Sequence, residues 1–166
     1  MRHLATAAVL LSLASPASAQ MIALTPGQIG EIFCIARLGN DMAPVEGLLT
    51  DGLRDAIAAA QAASDTIARQ HPDEKPPLGD GIPWQAYPDY APHCEAGPAI
   101  LQMDESRVTV SYVFPDSPEA GFADTLVLRL VPLAAQPDSK VWRIDDVEYA
   151  TEPSLRGILA GIGLPN

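Results

Sequence analysis

Seven prolines crowd residues 72–98, at positions 72, 76, 77, 83, 88, 92 and 98, and they cut the chain into two halves of different periodicity. Proline fixes φ and lacks the N–H that a helix interior or a central strand must donate, so no such element is expected across this stretch. The same stretch carries Trp84, Tyr87, Tyr90 and Cys94. Rings and a cysteine are of no use to a flexible linker, so 71–98 is expected to be an ordered, irregular loop packed over the rest of the protein.

Before the loop the apolar spacing is helical. Thr25-Pro26-Gly27-Gln28 has the form of a capping box with proline at the first helical position. Ile29, Ile32, Phe33 and Ala36 follow on one face, and Gly39-Asn40 after Leu38 supplies a stop. A short second helix is predicted over Asp41–Leu49, with Pro44 near its start. Thr50 caps a third helix, in which Leu53, Ile57, Ala60, Ser64 and Ile67 share one face and Asp51, Arg54, Asp55, Gln61, Asp65 and Arg69 the other, ending at His71-Pro72.

After the loop the period becomes two. Ala99–Met103 reads as a strand and Asp104-Glu105-Ser106 as its turn. Val108, Val110, Tyr112 and Phe114 alternate with Arg107, Thr109 and Ser111 in a half-buried strand. Phe122–Ala134 forms a long strand with Leu126, Leu128 and Leu130 on one face. A turn is expected at Gln136–Ser139 and a final strand over Lys140–Tyr149. The step from Ile144 to Val147 breaks the alternation and predicts a bulge near Asp145-Asp146. Pro153-Ser154-Leu155 opens a short helix that runs to about Ile162. Helices followed by a four-stranded antiparallel meander make an α+β domain, expected to be a curved sheet wrapped on the helical layer with a concave pocket between them.

The first nineteen residues follow another logic. Met1-Arg2-His3 is basic, Leu4–Leu13 is almost wholly apolar, and Ala17-Ser18-Ala19 is a small-x-small site. This is the pattern of a signal peptide cut after Ala19, which leaves residues 20–166 as one domain. About ten apolar residues cannot span a hydrocarbon core of roughly 30 Å, and no later segment reaches that length. With no cysteine after the apolar run, no lipid anchor is expected. Loss of Arg2 takes Lys+Arg from 10 to 9 against 21 acids, a net charge of −12 for the remainder. Such a charge repels phosphate backbones and anionic lipid, so nucleic acid is not an expected partner. An exported chain with two cysteines favours a Cys34–Cys94 disulfide over two buried or reactive thiols. Closing a loop of about sixty residues would contribute roughly 4 kcal/mol.

The closing run Val141-Trp142-Arg143-Ile144-Asp145-Asp146-Val147-Glu148-Tyr149, with Ser154-Leu155-Arg156 and Leu159, resembles the end of nuclear transport factor 2-like domains. More narrowly, it is similar to a domain-of-unknown-function branch found in bacterial envelope proteins. Gly79-Asp80-Gly81-Ile82-Pro83-Trp84 with Asp89, and Leu48-Leu49-Thr50-Asp51-Gly52-Leu53, resemble the acidic Pro-aromatic segment and the helix junction of that branch. The resemblance implies a cone-shaped α+β fold with a pocket. It implies no activity, since that superfamily holds isomerases, dehydratases, carriers and non-enzymatic partners.

No catalytic or metal motif stands out. Asp73, Glu74, Asp80 and Asp89 lack the regular spacing of a calcium loop. Asp145 and Asp146 point to opposite faces unless the bulge re-aims one. His71 and His93 lack zinc spacing, and a disulfide at Cys94 removes any thiol–imidazole reading of His93. No metal or cofactor is therefore expected. The candidate pocket residues are Trp84, Tyr87, Tyr90, Tyr112, Asp124, Leu128 and Trp142, with the loop carrying Trp84 covering part of the concave face. Two functions follow as expectations. The first is an exported, non-catalytic periplasmic or secreted module that binds an envelope protein or a small apolar ligand. The alternative is a small lyase or isomerase working through Tyr112 and Asp124.

Overall fold

The computed structural model describes residues 23–87, 91–134, 136–151 and 153–162. The segment read as a signal peptide lies outside the described residues, as do Asp89 and Tyr90. Among the described residues, four α-helices and a four-stranded antiparallel sheet give an α+β fold, with three α-helices before the sheet and one after it.

Helix α1 (Pro26–Leu38) begins where the local chemistry demands. Thr25 Oγ1 accepts from the Gln28 N–H at 3.3 Å while Gln28 Oε1 accepts from the Thr25 N–H at 2.9 Å. Ile29 and Phe33 are wholly buried. Between them Gly30 lies against the sheet so closely that a Cβ would stand 2.8 Å from Val108 Cγ1. The helix needs a residue without a side chain there to approach the sheet. Helix α2 (Ala43–Glu46) is a single turn, shorter than the predicted Asp41–Leu49. Leu48 and Thr50 are committed elsewhere: Leu48 O accepts from the Ile144 N–H at 2.8 Å, and the Thr50 N–H donates to Ile144 O at 2.9 Å. Helix α3 (Asp51–Gln70) is capped by Thr50 Oγ1, which accepts from the Leu53 N–H at 3.2 Å, and its buried residues Leu53, Ala60 and Ser64 fall on the expected face.

The strands are β1 (His93–Gln102), β2 (Glu105–Val113), β3 (Phe122–Leu133) and β4 (Gln136–Glu148), in the order β1-β2-β3-β4. Alternation fixes their faces: Val108, Val110, Tyr112, Leu126 and Leu128 all turn into the core. The bulge at Asp145 is present, since Val127 pairs with Asp146 but Leu128 pairs with Ile144.

Three boundaries differ from expectation. The irregular loop ends at residue 92 rather than 98, because β1 is an edge strand. Gly97 and Pro98 together oppose Thr109 in a bulge, where a missing donor costs little. The β1–β2 turn is Met103-Asp104, with Met103 at φ 52°, so Glu105 and Ser106 belong to β2. Gln136–Ser139 is not the turn but the start of β4. Leu133 pairs with Gln136 and Pro132 with Lys140, so residues 137–139 are looped out of the ladder.

Helix α4 (Leu155–Gly161) packs on α3 and β4, while α1 packs on β1 and β2. The disulfide joins Cys34 of α1 to Cys94 of β1, with their Cα atoms 5.2 Å apart. Among the described residues, no helix is long and apolar enough to cross a membrane.

Candidate functional site: a strap over a buried carboxyl

Asp124 occupies an inward position of β3 by the same period of two that buries Leu126 and Leu128, and is only 1% exposed. Tyr112 sits diagonally from it on β2, since Val110 faces Asp124 and Phe122 faces Tyr112. Its ring stacks on Phe122 at a centroid distance of 4.5 Å and is 2% exposed. The structure therefore brings together the two residues singled out as an acid–phenol pair.

Residues 78–87 lie across this pair as a strap, fixed to several elements. The Leu78 N–H donates to Ser64 Oγ of α3 at 3.1 Å. The Tyr149 hydroxyl, just past β4, donates to Pro83 O. Trp84, 7% exposed, meets Phe33 of α1 edge-on at 6.4 Å. Arg37 of α1 donates to Gln85 Oε1 through Nε at 3.1 Å and Nη2 at 2.6 Å. The Ala86 N–H donates to Asp124 Oδ2 at 3.0 Å.

Burial pushes the Asp124 carboxyl up to about 6, against the Ala86 N–H and the nearby Arg37 charge, which favour the ionised form. Burial likewise raises the Tyr112 and Tyr149 phenols, and the Asp124 charge adds to both effects. Among the described residues Asp124 Oδ1 and the Tyr112 hydroxyl have no hydrogen-bond partner. A carboxyl poised near neutrality beside two phenols is the raw material of acid–base chemistry. Here it is closed off by the strap.

An open concavity lies beside the strap. A cleft of about 780 Å³ runs between the end of α1, the strap and α4, lined by Met42, Leu78, Ile82, Trp84 and Ile158 and also by Arg37, Asn40 and Asp80. Tyr87, 47% exposed, also lines it, with its ring edge-on to Phe122 at 4.9 Å. Leu128 is in the core, not in a wall. Trp142 is elsewhere, lining a groove with Leu24, Pro26 and Leu101.

The other acidic candidates have structural work. Asp146 Oδ2 accepts from Ser154 Oγ at 2.7 Å, and its Oδ1 accepts from the Arg156 N–H at 2.9 Å, which fastens the start of α4. Asp145 Oδ1 accepts from Thr50 Oγ1 at 2.8 Å and Arg156 Nη2 at 2.6 Å. Asp80 pairs with Lys75, and His71 and His93 are exposed. Among the described residues no cluster of acidic, histidine or cysteine side chains could hold a metal. Sequence reasoning missed Arg37, Gln85 and Tyr149. Arg37 did carry a signal: it is a charged residue at the next step of the Ile29, Phe33 stripe of α1.

The chain matches no protein-family model, no curated protein and no solved structure.

Proposed function

We propose that the chain is an exported, non-catalytic module on a cone-like, nuclear transport factor 2-like fold. Its cleft beside the strap receives a small apolar ligand or an apolar segment of an envelope protein. One observation carries this reading. The space under the strap is filled by the protein's own Trp84, Phe33, Tyr112 and Phe122, and the Ala86–Asp124 bond closes it, while the outer cleft is open and combines apolar walls from Met42, Ile82, Trp84 and Ile158 with the polar side chains of Arg37, Asn40 and Asp80. Export is supported by the three-part N-terminal pattern and by the Cys34–Cys94 bond, which suits an oxidising compartment. The cone reading is supported by the order of helices and strands. It gains from the lock of Asp146, Ser154 and Arg156, residues that also carry the sequence resemblance.

The test is purification of the protein from its native envelope, with mass spectrometry of co-purifying proteins and small molecules. A species retained by the wild type and lost from I158E, which puts a charge into the cleft, is the expected result. A mature chain beginning at Gln20 is expected in the same fraction. Equal retention by both proteins would overturn the cleft as the site, and an intact Met1 would overturn export.

A second reading, a small lyase or isomerase, draws on the unpartnered Asp124 Oδ1 and Tyr112 hydroxyl and the raised carboxyl. It requires the strap to lift. Amide exchange at Ala86 as slow as in the core of β2 and β3 would remove it.

A further inference from the structure

Arg129 of β3 and Arg143 of β4 stand directly opposite each other in the sheet register. Like charges in that relation repel, and a chain with 10 basic residues against 21 acidic ones has little reason to place two of the ten together. Of the two, only Arg129 is balanced by its neighbours. A row of ion pairs crosses this face of the sheet through Glu148, Arg107, Glu105, Arg129, Asp145 and Arg156, alternating in sign along its length. Three carboxylates there meet three guanidinium groups. Arg54 is balanced separately by Asp51. Arg143 is left over. Its Nη1 donates to the carbonyl of Trp142 at 3.0 Å, and among the described residues no carboxylate comes within 4.0 Å of it.

The surplus charge faces a groove of about 580 Å³ between the start of α3 and the ends of β3 and β4. Arg54, Arg129 and Arg143 line it together with Asp51 and Asp145, so the groove keeps one positive charge in excess, and Leu49, Val131 and Val141 supply apolar lining. We propose that this groove binds a small organic anion, its carboxylate or phosphate oxygens held by Arg143 with Arg129 and Arg54, and its carbon portion against the valines. A guanidinium presents paired N–H donors that suit either oxyanion, and Leu49, Val131 and Val141 offer contact to a carbon portion. The groove is separate from the cleft beside the strap, so each site stands or falls on its own.

The test is two-dimensional amide NMR of the full chain at constant ionic strength, titrated separately with inorganic phosphate, citrate and chloride. Saturable shifts confined to residues 49–54, 129–134 and 141–145 are expected with phosphate or citrate, and none with chloride. The tighter of the two identifies the oxyanion class. R143Q should weaken binding at least about tenfold, R143K less, and R69Q, at the far end of α3, should leave it unchanged. Shifts that fail to saturate, or that chloride reproduces, overturn the proposal. So does an R143Q protein that binds like wild type. Should R143Q fail to fold, R54Q replaces it, and unchanged affinity in that variant counts equally against the site.

Discussion

The Ala86 N–H donates to Asp124 Oδ2 at 3.0 Å, tying the strap to the inward face of β3. This bond does not fully offset the cost of burying the charge, and the carboxyl rises from 3.8 to about 6. The folded protein therefore holds this proton more tightly than the unfolded chain does. The associated stability is fully present below pH 4 and is lost as pH rises through 6. This difference corresponds to about 3 kcal/mol. Wild type should gain on D124N as pH falls from 7.5 to 5 in urea unfolding. A difference between the two that stays constant over that range would contradict the assignment.

Cys34 and Cys94 close a loop of 60 residues and pin α1 to β1. The C34S/C94S double variant should lose about 4 kcal/mol, read as a lower urea midpoint. Reductant should leave the variant unaffected. In the wild type it should act slowly, because Cys34 is buried.

Trp84 is the deepest anchor of the strap. W84A should cost about 3–5 kcal/mol, and amides across residues 79–87 should exchange faster while β2 and β3 stay protected. Y149F, which removes only the bond to Pro83 O, should cost about 1 kcal/mol and loosen the same segment less. Equal exchange in W84A and wild type would show that the strap is held by its hydrogen bonds alone.

Asp146 fastens the first turn of α4 through Ser154 and the Arg156 N–H. D146A leaves both donors without their acceptor, at about 1–3 kcal/mol. The methyl resonances of Leu155 and Leu159, both buried, should shift and broaden as α4 undocks from α3.

What was legible in the sequence was local. Thr25 and Thr50 mark helix starts because a cap is a bond over three residues. The alternation of Val108, Val110 and Tyr112 sets a strand's faces without reference to its partner. The gap between Ile144 and Val147 gave away the bulge. What failed depended on partners far along the chain. Pro98 is tolerated in β1 only because that strand is at an edge and bulged, a property of the sheet and not of the segment. No residue near Met103 announces its left-handed backbone, so the expected turn begins one residue late and runs into β2. The pair Tyr112 and Asp124 could be read as inward-facing from period two. Its closure could not, because Arg37 reaches Gln85 across 48 residues and Tyr149 reaches Pro83 across 66.

The pairing of Ile144 with Leu48 and Thr50 has a consequence for the sheet's dealings with other chains. An open sheet invites a stranger to add a strand at either edge, the first step of aggregation. At β4 the N–H and C=O of Ile144 are already taken by the chain's own residues. At β1 the double residue Gly97-Pro98 breaks the regular ladder and brings no proline N–H to offer. What is left of β1 on either side of it is two short runs, His93–Ala96 and Ala99–Gln102, each less than a typical strand of about five or six residues. The protein thus obstructs recruitment at both margins, with a borrowed loop on one side and an interrupted rhythm on the other.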